Sequence, residues 1–492
     1  MLVILASPNL SLSTEECALT RDVSQIDEVW PRPELLSVVL YSGFFICFGN
    51  TAGNSVAFAK HVIAASSPQI HKTVEFDSRL VAFIAVAILT TICLLHYFSA
   101  ETGLFLNRTL AYYKTGLLFA VFVAGVMARN QPGSGKNDWS RSDSPHSSFS
   151  TLSAMIYILY SYQGWENANY VGGEIKVDKP DLQLGGYLAV IVTMILYVLA
   201  TVGYYMACSF DTIVSENSDL GMGQYFATQA FSGHTVGFKI CIALSAAGNL
   251  VAVIFTSSKV KQCIARQRII PFYTFFGDDD KQFGTPRGAL ILHWFFTLIL
   301  ILSMPNTTDG YSFIIGMFTY GHLVVGLFVG WGIWKLRRRL RAFKQLEDWD
   351  FKFLTWSWLR NPLVFLWTGV NILVLIVAAT PHAAGTIPRK WWPIVLLGVV
   401  VPVSFVYWAV LWSMQNERFG SKMFGVSAKV HHPDATMGRN AGRPQSDFEK
   451  MMIAARKDGS NRRTEYDVHG KTWRRLEKGR KYLMENFYKY LW

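Results

Sequence analysis

The sequence predicts an all-α integral membrane protein, and three observations carry that expectation. Hydrophobic residues fill 51% of the 492 positions and charged residues only 16%, a balance too apolar for an ordinary soluble domain. Ten apolar stretches recur, near 35–63, 80–98, 110–128, 151–174, 186–208, 236–256, 288–304, 311–334, 362–380 and 391–413. Most approach the roughly 20 residues that carry a helix across about 30 Å of hydrocarbon. The net charge of +12 is also unevenly placed. With both termini in the cytoplasm, loops 258–287 and 335–361 are basic, while loops 209–235 and 305–310 carry no Lys or Arg. That is the positive-inside pattern, and it sets the orientation.

The elements follow in order. Residues 1–34 are polar and mildly acidic and read as a cytoplasmic N-terminal segment. The opening "MLVILASPNLSL" is short and lacks a basic start, so no secretory leader is expected and an internal span targets the chain. Residues 35–413 form the transmembrane domain. Runs such as "ILHWFFTLILIL" have no amphipathic period, as suits helices packed among lipid and other helices. The alternation of an outer-membrane barrel is absent. Residues 129–149 are a Gly/Ser/Pro-rich outside connector, and 222–231 is a short surface helix in the next outside loop. Residues 335–361 mix basic and aromatic side chains, as a helix lying along the cytoplasmic interface does. Residues 414–492 are a basic cytoplasmic tail. Its end places Trp473, Leu476, Leu483, Phe487 and Leu491 at roughly helical spacing, open to an amphipathic surface helix or a solvated tail.

Composition excludes several classes of function. The basic residues flank membrane spans, so nucleic acid is not an expected partner. The six cysteines have neither a metal spacing nor a disulfide framework, and read as small buried apolar residues. No nucleotide loop or nucleophile motif is present, so an enzyme is not expected, nor any cofactor or metal.

The stretch "YSYQGWENANYVGGEIK" at 160–176 breaks the apolar pattern. An apolar half ends at Tyr160. Ser161, Tyr162, Gln163 and Gly164 follow, then Trp165, Glu166, Asn167, Asn169 and Glu174. Glycine costs a helix about 1 kcal/mol relative to alanine and lets the backbone leave helical angles. Bare peptide groups at membrane depth are tolerated only where they line a cavity or bind something. Freed carbonyls suit an ammonium group. The other reading is a continuous helix whose polar face binds its neighbours.

The segment "YSYQGWENANYVGGEIKVDKPD" resembles the sixth helix of the amino acid–polyamine–organocation (APC) superfamily, in its L-type branch. Tyr162, Gly164, Trp165, Asn169, Tyr170, Val171, Glu174, Ile175, Lys176 and Pro180 carry the motif. "RPELLSVVLYSGFFICFGNTAGNSVAFAKHV" at 32–62 is similar to the third helix of that family. "LNRTLAYYKTGLLFAVFVAGV" at 106–126 is similar to the fifth, and "AAGNLVAVIFTSSKVKQCIARQRIIPF" at 246–272 to the eighth. Similarity covers roughly 30–420, and among members the chain looks most like fungal high-affinity methionine permeases.

The resemblance implies a LeuT-type fold of two inverted five-helix repeats, with about ten spans here and no counterpart of the first two family helices. It implies proton-coupled uptake of methionine or another neutral L-amino acid at the plasma membrane, by alternating access. The alternative is a truncated, transport-inactive or receptor-like protein of the same fold. The implied substrate contacts are Tyr160, Ser161, Tyr162, Gln163, Gly164 and Trp165. Lys114 resembles a stand-in for a coupling sodium ion. From its position alone it is either a buried functional ammonium or a lysine snorkelling to the interface. Ser257 and Ser258 belong to the same implied ion site, or else bond neighbouring helices. Asn54, Glu166 and Asn249 are supporting candidates: Glu166 for gating or proton transfer, the two amides for the ion site or for knitting the bundle.

Overall fold

The computed structural model describes residues 36–47, 49, 51–66, 76–131, 158–164, 167, 179–209, 222–231, 235–266, 270–303, 314, 316–327, 330, 334, 357–379 and 400–414. Its helices are α1 Leu36–Cys47, α2 Thr51–Ser66, α3 Ser78–Phe98, α4 Ala100–Ala128, α5 Lys179–Ala207 and α6 Met222–Ala230. They continue with α7 Val236–Arg266, α8 Tyr273–Gly277, α9 Arg287–Ser303, α10 Ser357–Ala379 and α11 Val401–Met414. Helical stretches 158–161 and 316–327 complete the set, and no strand occurs among the described residues. The fold is all-α, as expected. Four described helices are long and apolar enough to cross a membrane: α3, α4, Leu184–Ala207 of α5, and α7. Arg287–Ser303, Pro362–Ile376 and Val401–Val410 are shorter apolar helices. The N-terminal segment and the basic tail beyond Met414 lie outside the described residues, as does 335–356 of the interfacial stretch.

Local chemistry sets the helix ends. Asp77 caps α3, its side chain accepting from the Arg79 amide at 2.9 Å. Ser99 is extended, separates α3 from α4, and caps α4 by accepting from the Thr102 amide at 3.1 Å. A short polar side chain at such a position satisfies one of the orphan amides of the first turn.

α7 is the central post and packs against α2, α3, α4, α8 and α9. On α3 the buried positions are Val81, Ala85, Leu89, Ile92, Cys93 and His96, one stripe at helical spacing. Opposite them lie Ala52, Val56 and Ala59 of α2, Leu250, Val251 and Ile254 of α7, and Leu290 and Ile301 of α9. Elsewhere the helices turn their large apolar side chains outward: Phe83, Phe105 and Met127 are 72%, 69% and 75% exposed. In water such a surface would aggregate; around a bilayer it is the lipid face. α4 and α5 meet backbone to backbone, because a side chain on Gly125 would collide with Gly203. Close approach through small residues is how membrane helices gain packing contact.

Three expectations need correcting. The span 35–63 is not continuous: α1 ends at Cys47, α2 begins at Thr51, and Gly49 between them is not helical. Apolar content hid the break, since glycine in a small-residue stretch reads equally as helix packing. The helix at 222–231 is not superficial; Phe226 and Ala227 are fully buried against α4, α5 and Phe238 of α7. The loop expected to start at 258 is helical up to Arg266, with Ser258, Lys261, Gln262, Ile264 and Ala265 buried. Lys261, one of the basic residues of that expected loop, is therefore an interior charge. Among the cysteines, Cys47, Cys93, Cys208 and Cys241 are at least half-buried thiols outside any disulfide, whereas Cys263 is disulfide-bonded.

Candidate functional site

The polar stretch after the fourth apolar run begins with residues 158–161 in helix and 162–164 in a turn. The ladder first tightens: the Tyr162 amide is shared between the carbonyls of Ile158 and Leu159, and the Gln163 amide reaches Tyr160 O at 3.1 Å. It then stops at Gly164, whose φ of 111° a side chain rarely adopts. The Asn167 amide bonds Gly164 O at 3.1 Å, restarting a turn. Among the described residues, nothing donates to the carbonyls of Ser161, Tyr162 or Gln163.

The side chains of this turn are held differently. Ser161 Oγ donates to Ile158 O at 2.7 Å. The Tyr162 ring packs 5.1 Å from Tyr197 of α5. Gln163 Oε1 is buried and, among the described residues, accepts no hydrogen bond, an acceptor that costs free energy until something fills it. Trp165 and Glu166 lie outside the described residues.

Both interrupted helices touch one ring. Tyr160 meets Phe318 edge-on at 6.5 Å, and Phe44 of α1 stacks on Phe318 at 6.3 Å. His322 lies 4.3 Å from Phe318 and 5.6 Å from Phe44. The Phe44 ring fits there because Gly321 has no side chain to meet it.

The ion-site candidates separate into two groups. Lys114 lies on α4 against Gly248 of α7, where an added Cβ would sit 3.1 Å from Lys114 Cε. Ser257 is nine residues further along α7, about 13.5 Å at 1.5 Å per residue. Ser258 Oγ donates to Phe255 O at 2.7 Å within its own helix. The structure therefore does not bring the Lys114 ammonium to either hydroxyl. It does bring the supporting amides together: Asn249 Nδ2 donates to Asn54 Oδ1 at 3.1 Å.

A further polar cluster, not evident from the sequence, lies among α2, α7 and α9. Lys261 Nζ lies 2.7 Å from His293 Nδ1, and His293 Nε2 lies 3.2 Å from Thr51 Oγ1. These side chains come from α7, α9 and α2, and are 2%, 1% and 0% exposed. Two sequence signals pointed at it, a histidine inside the apolar run 291–302 and a lysine beyond the "TSS" of α7. Neither signal shows which partner each would find.

Together these features define an integral membrane protein of apolar helices, two of its helical paths interrupted at glycines and joined through a shared aromatic ring. The chain belongs to the amino acid permease family, whose pattern it matches over residues 22–401. It is 23% identical over 327 residues to the high-affinity methionine permease of Saccharomyces cerevisiae, covering 64% of this chain and 55% of that protein. To the low-affinity methionine permease of the same yeast it is 26% identical over 326 residues, covering 64% and 58%. To the human cystine/glutamate transporter it is 23% identical over 256 residues, covering 51% and 49%. The chain thus spans about half the length of these curated relatives.

Proposed function

We propose that this chain forms the membrane-embedded core of a secondary amino acid transporter that takes up methionine or another neutral L-amino acid at the plasma membrane. The observation that carries the reading is the turn at Gly164. Among the described residues nothing donates to its carbonyls at Ser161, Tyr162 and Gln163 or to the neighbouring Gln163 Oε1, and such acceptors suit the N–H donors of a substrate ammonium. The Tyr160–Phe318–Phe44 rings beside the turn offer an apolar side chain such as a thioether a polarisable wall. Membership of the permease family and similarity to two methionine permeases support the substrate class.

In this reading the breaks at Gly49 and Gly164 are joints. Helices interrupted at mid-depth pivot without breaking a full ladder, and Phe318 couples the two pivots. Uptake is driven by protons, with Lys114 as the coupling group: an ammonium inside a membrane helix is costly unless its charge is used. Both termini face the cytoplasm, and 35–413 is the transporting unit between the cytoplasmic segments 1–34 and 414–492.

The test is uptake of labelled methionine by a host lacking its own methionine permeases, with unlabelled amino acids as competitors. Uptake that neutral amino acids compete away and that rises as external pH falls is expected. Lys114→Ala should flatten the pH dependence. An expressed, membrane-inserted chain with no uptake of any amino acid overturns the reading; pH-independent uptake leaves transport standing and removes proton coupling.

A further inference from the structure

We propose that Lys261, His293 and Thr51 form a proton-binding relay, separate from Lys114, that transmits the protonation state of Lys261 to the start of α2 at the break in the first span.

The geometry is a chain of three side chains from three helices. Lys261 Nζ is 2.7 Å from His293 Nδ1, and His293 Nε2 is 3.2 Å from Thr51 Oγ1. All three are essentially inaccessible. Among the described residues no carboxylate pairs with Lys261; the ion pairs nearby are Arg266–Asp279 and Arg287–Asp280, closer to the solvent edge. A buried cation without a counter-ion is expensive. A neutral imidazole acceptor is the partner that lets a lysine hold or lose its proton there.

The titratable groups facing the pair are few. Cys47, at the end of α1, and Cys93, on α3, act on Lys261; His96, also on α3, acts on His293. His96 is itself committed, Nε2 lying 2.9 Å from Val251 O. On α2, Lys60 and His61 lie more than two turns beyond Thr51. Of the helices packed on α7, α8 also carries Tyr273 and α9 carries Arg287 at its first turn, and neither acts on the pair.

Two hydrogen-bond arrangements fit the same distances. With Lys261 charged, its N–H donates to Nδ1, so the ring proton sits on Nε2 and is donated to Thr51 Oγ1. When the three-group chain loses one proton, Nζ passes a proton to Nδ1, Nε2 passes its proton to Thr51 Oγ1, and the hydroxyl's former proton leaves to water. The neutral amine then accepts from Nδ1–H, and bare Nε2 accepts from the Thr51 hydroxyl. One proton is lost to water and the ring is neutral in both end states. The bond at Thr51 reverses direction, and Thr51 is the first residue of α2 after Gly49. The exposed end of α7 lies at Arg266, five residues or about 7.5 Å beyond Lys261. Arg266 and Asp279 there are 38% and 40% exposed.

The test is ring-15N NMR of histidine-labelled full chain in lipid nanodiscs, titrated from about pH 5 to about pH 10. The His293 signals are assigned by their loss in His293→Gln. The relay predicts a switch of the His293 ring from the Nε2–H to the Nδ1–H tautomer as pH rises, and loss of that switch in Lys261→Met. A wild-type ring that keeps one tautomer across the range overturns the proposal, as does a switch unchanged in Lys261→Met. Should Lys261→Met fail to insert, the wild-type titration decides alone. The readout needs no transport, so its failure and the failure of the transporter reading are separate results.

Discussion

Asn249 donates its side-chain amide to Asn54 Oδ1 at 3.1 Å, joining α7 to α2 across 195 positions of sequence. Hydrogen bonds between membrane helices are worth about 0.6 kcal/mol on average and rarely above about 2 kcal/mol. Removing one partner strands the other, so Asn54→Ala should destabilise the α2–α7 pair by about 1–2 kcal/mol. Replacing both residues by alanine should cost less than the sum of the single changes. A double-mutant cycle on thermal unfolding in detergent checks this; additive losses would show that the two amides act independently.

Gly248 gives α4 its approach to α7, with Leu110 Cβ and Lys114 Cε at 3.0 and 3.1 Å from where a Cβ would stand. Gly248→Val should push α4 outward and cost about 1–3 kcal/mol by overpacking. The same change at Gly237, which has open space around it, should be far milder. Comparing the melting temperatures of the two variants separates close packing from a general intolerance of branched residues on α7.

Asp280 pins the turn that leads into α9. Its carboxylate accepts from the Gln282 amide at 2.8 Å and the Phe283 amide at 3.2 Å, and pairs with Arg287 at 3.1 Å. The Gln282 amide, then the Phe283 amide and the Arg287 charge, hold the carboxyl below its ordinary range. A carboxyl depressed in the fold adds order above the unfolded carboxylate's range, and that order is lost as pH falls through the folded value. The protection of the amides in 280–287, taken relative to the intrinsic exchange rate at each pH, should therefore fall on acidification. In Asp280→Asn that protection should be low at every pH; an unchanged protection profile would contradict the assignment.

Much of this arrangement is legible in sequence, for identifiable reasons. Helix positions followed from apolar runs, and the turn at Gly164 from a glycine among polar residues at membrane depth. Asn54 and Asn249 stood out as amides in apolar spans, though nothing in either span named the other. The break at Gly49 was hidden because "FGNTAGNSV" is also what a tightly packed helix looks like. Lys261 reads as a loop residue in sequence because basic residues near span ends ordinarily face the cytoplasm. Its burial depends on His293 and Thr51, which lie 32 and 210 positions away and which only the packing of α2, α7 and α9 brings within reach.

At Gly164 the backbone angle itself can be tested. A side chain at φ 111° is strained, by roughly 1–3 kcal/mol for a residue held in so sparsely populated a region. Gly164→Ala should abolish methionine binding while the chain still inserts, since the turn would relax toward helix and its carbonyls would be recaptured. Normal binding in that variant would place the substrate elsewhere.

The most direct measurement is a cryo-EM structure of the full chain with methionine present. A helix interrupted at Gly164 is expected, with the ligand amine within about 3 Å of the Ser161–Gln163 carbonyls. A ladder running unbroken through Gly164, or a ligand bound away from that turn, would contradict it.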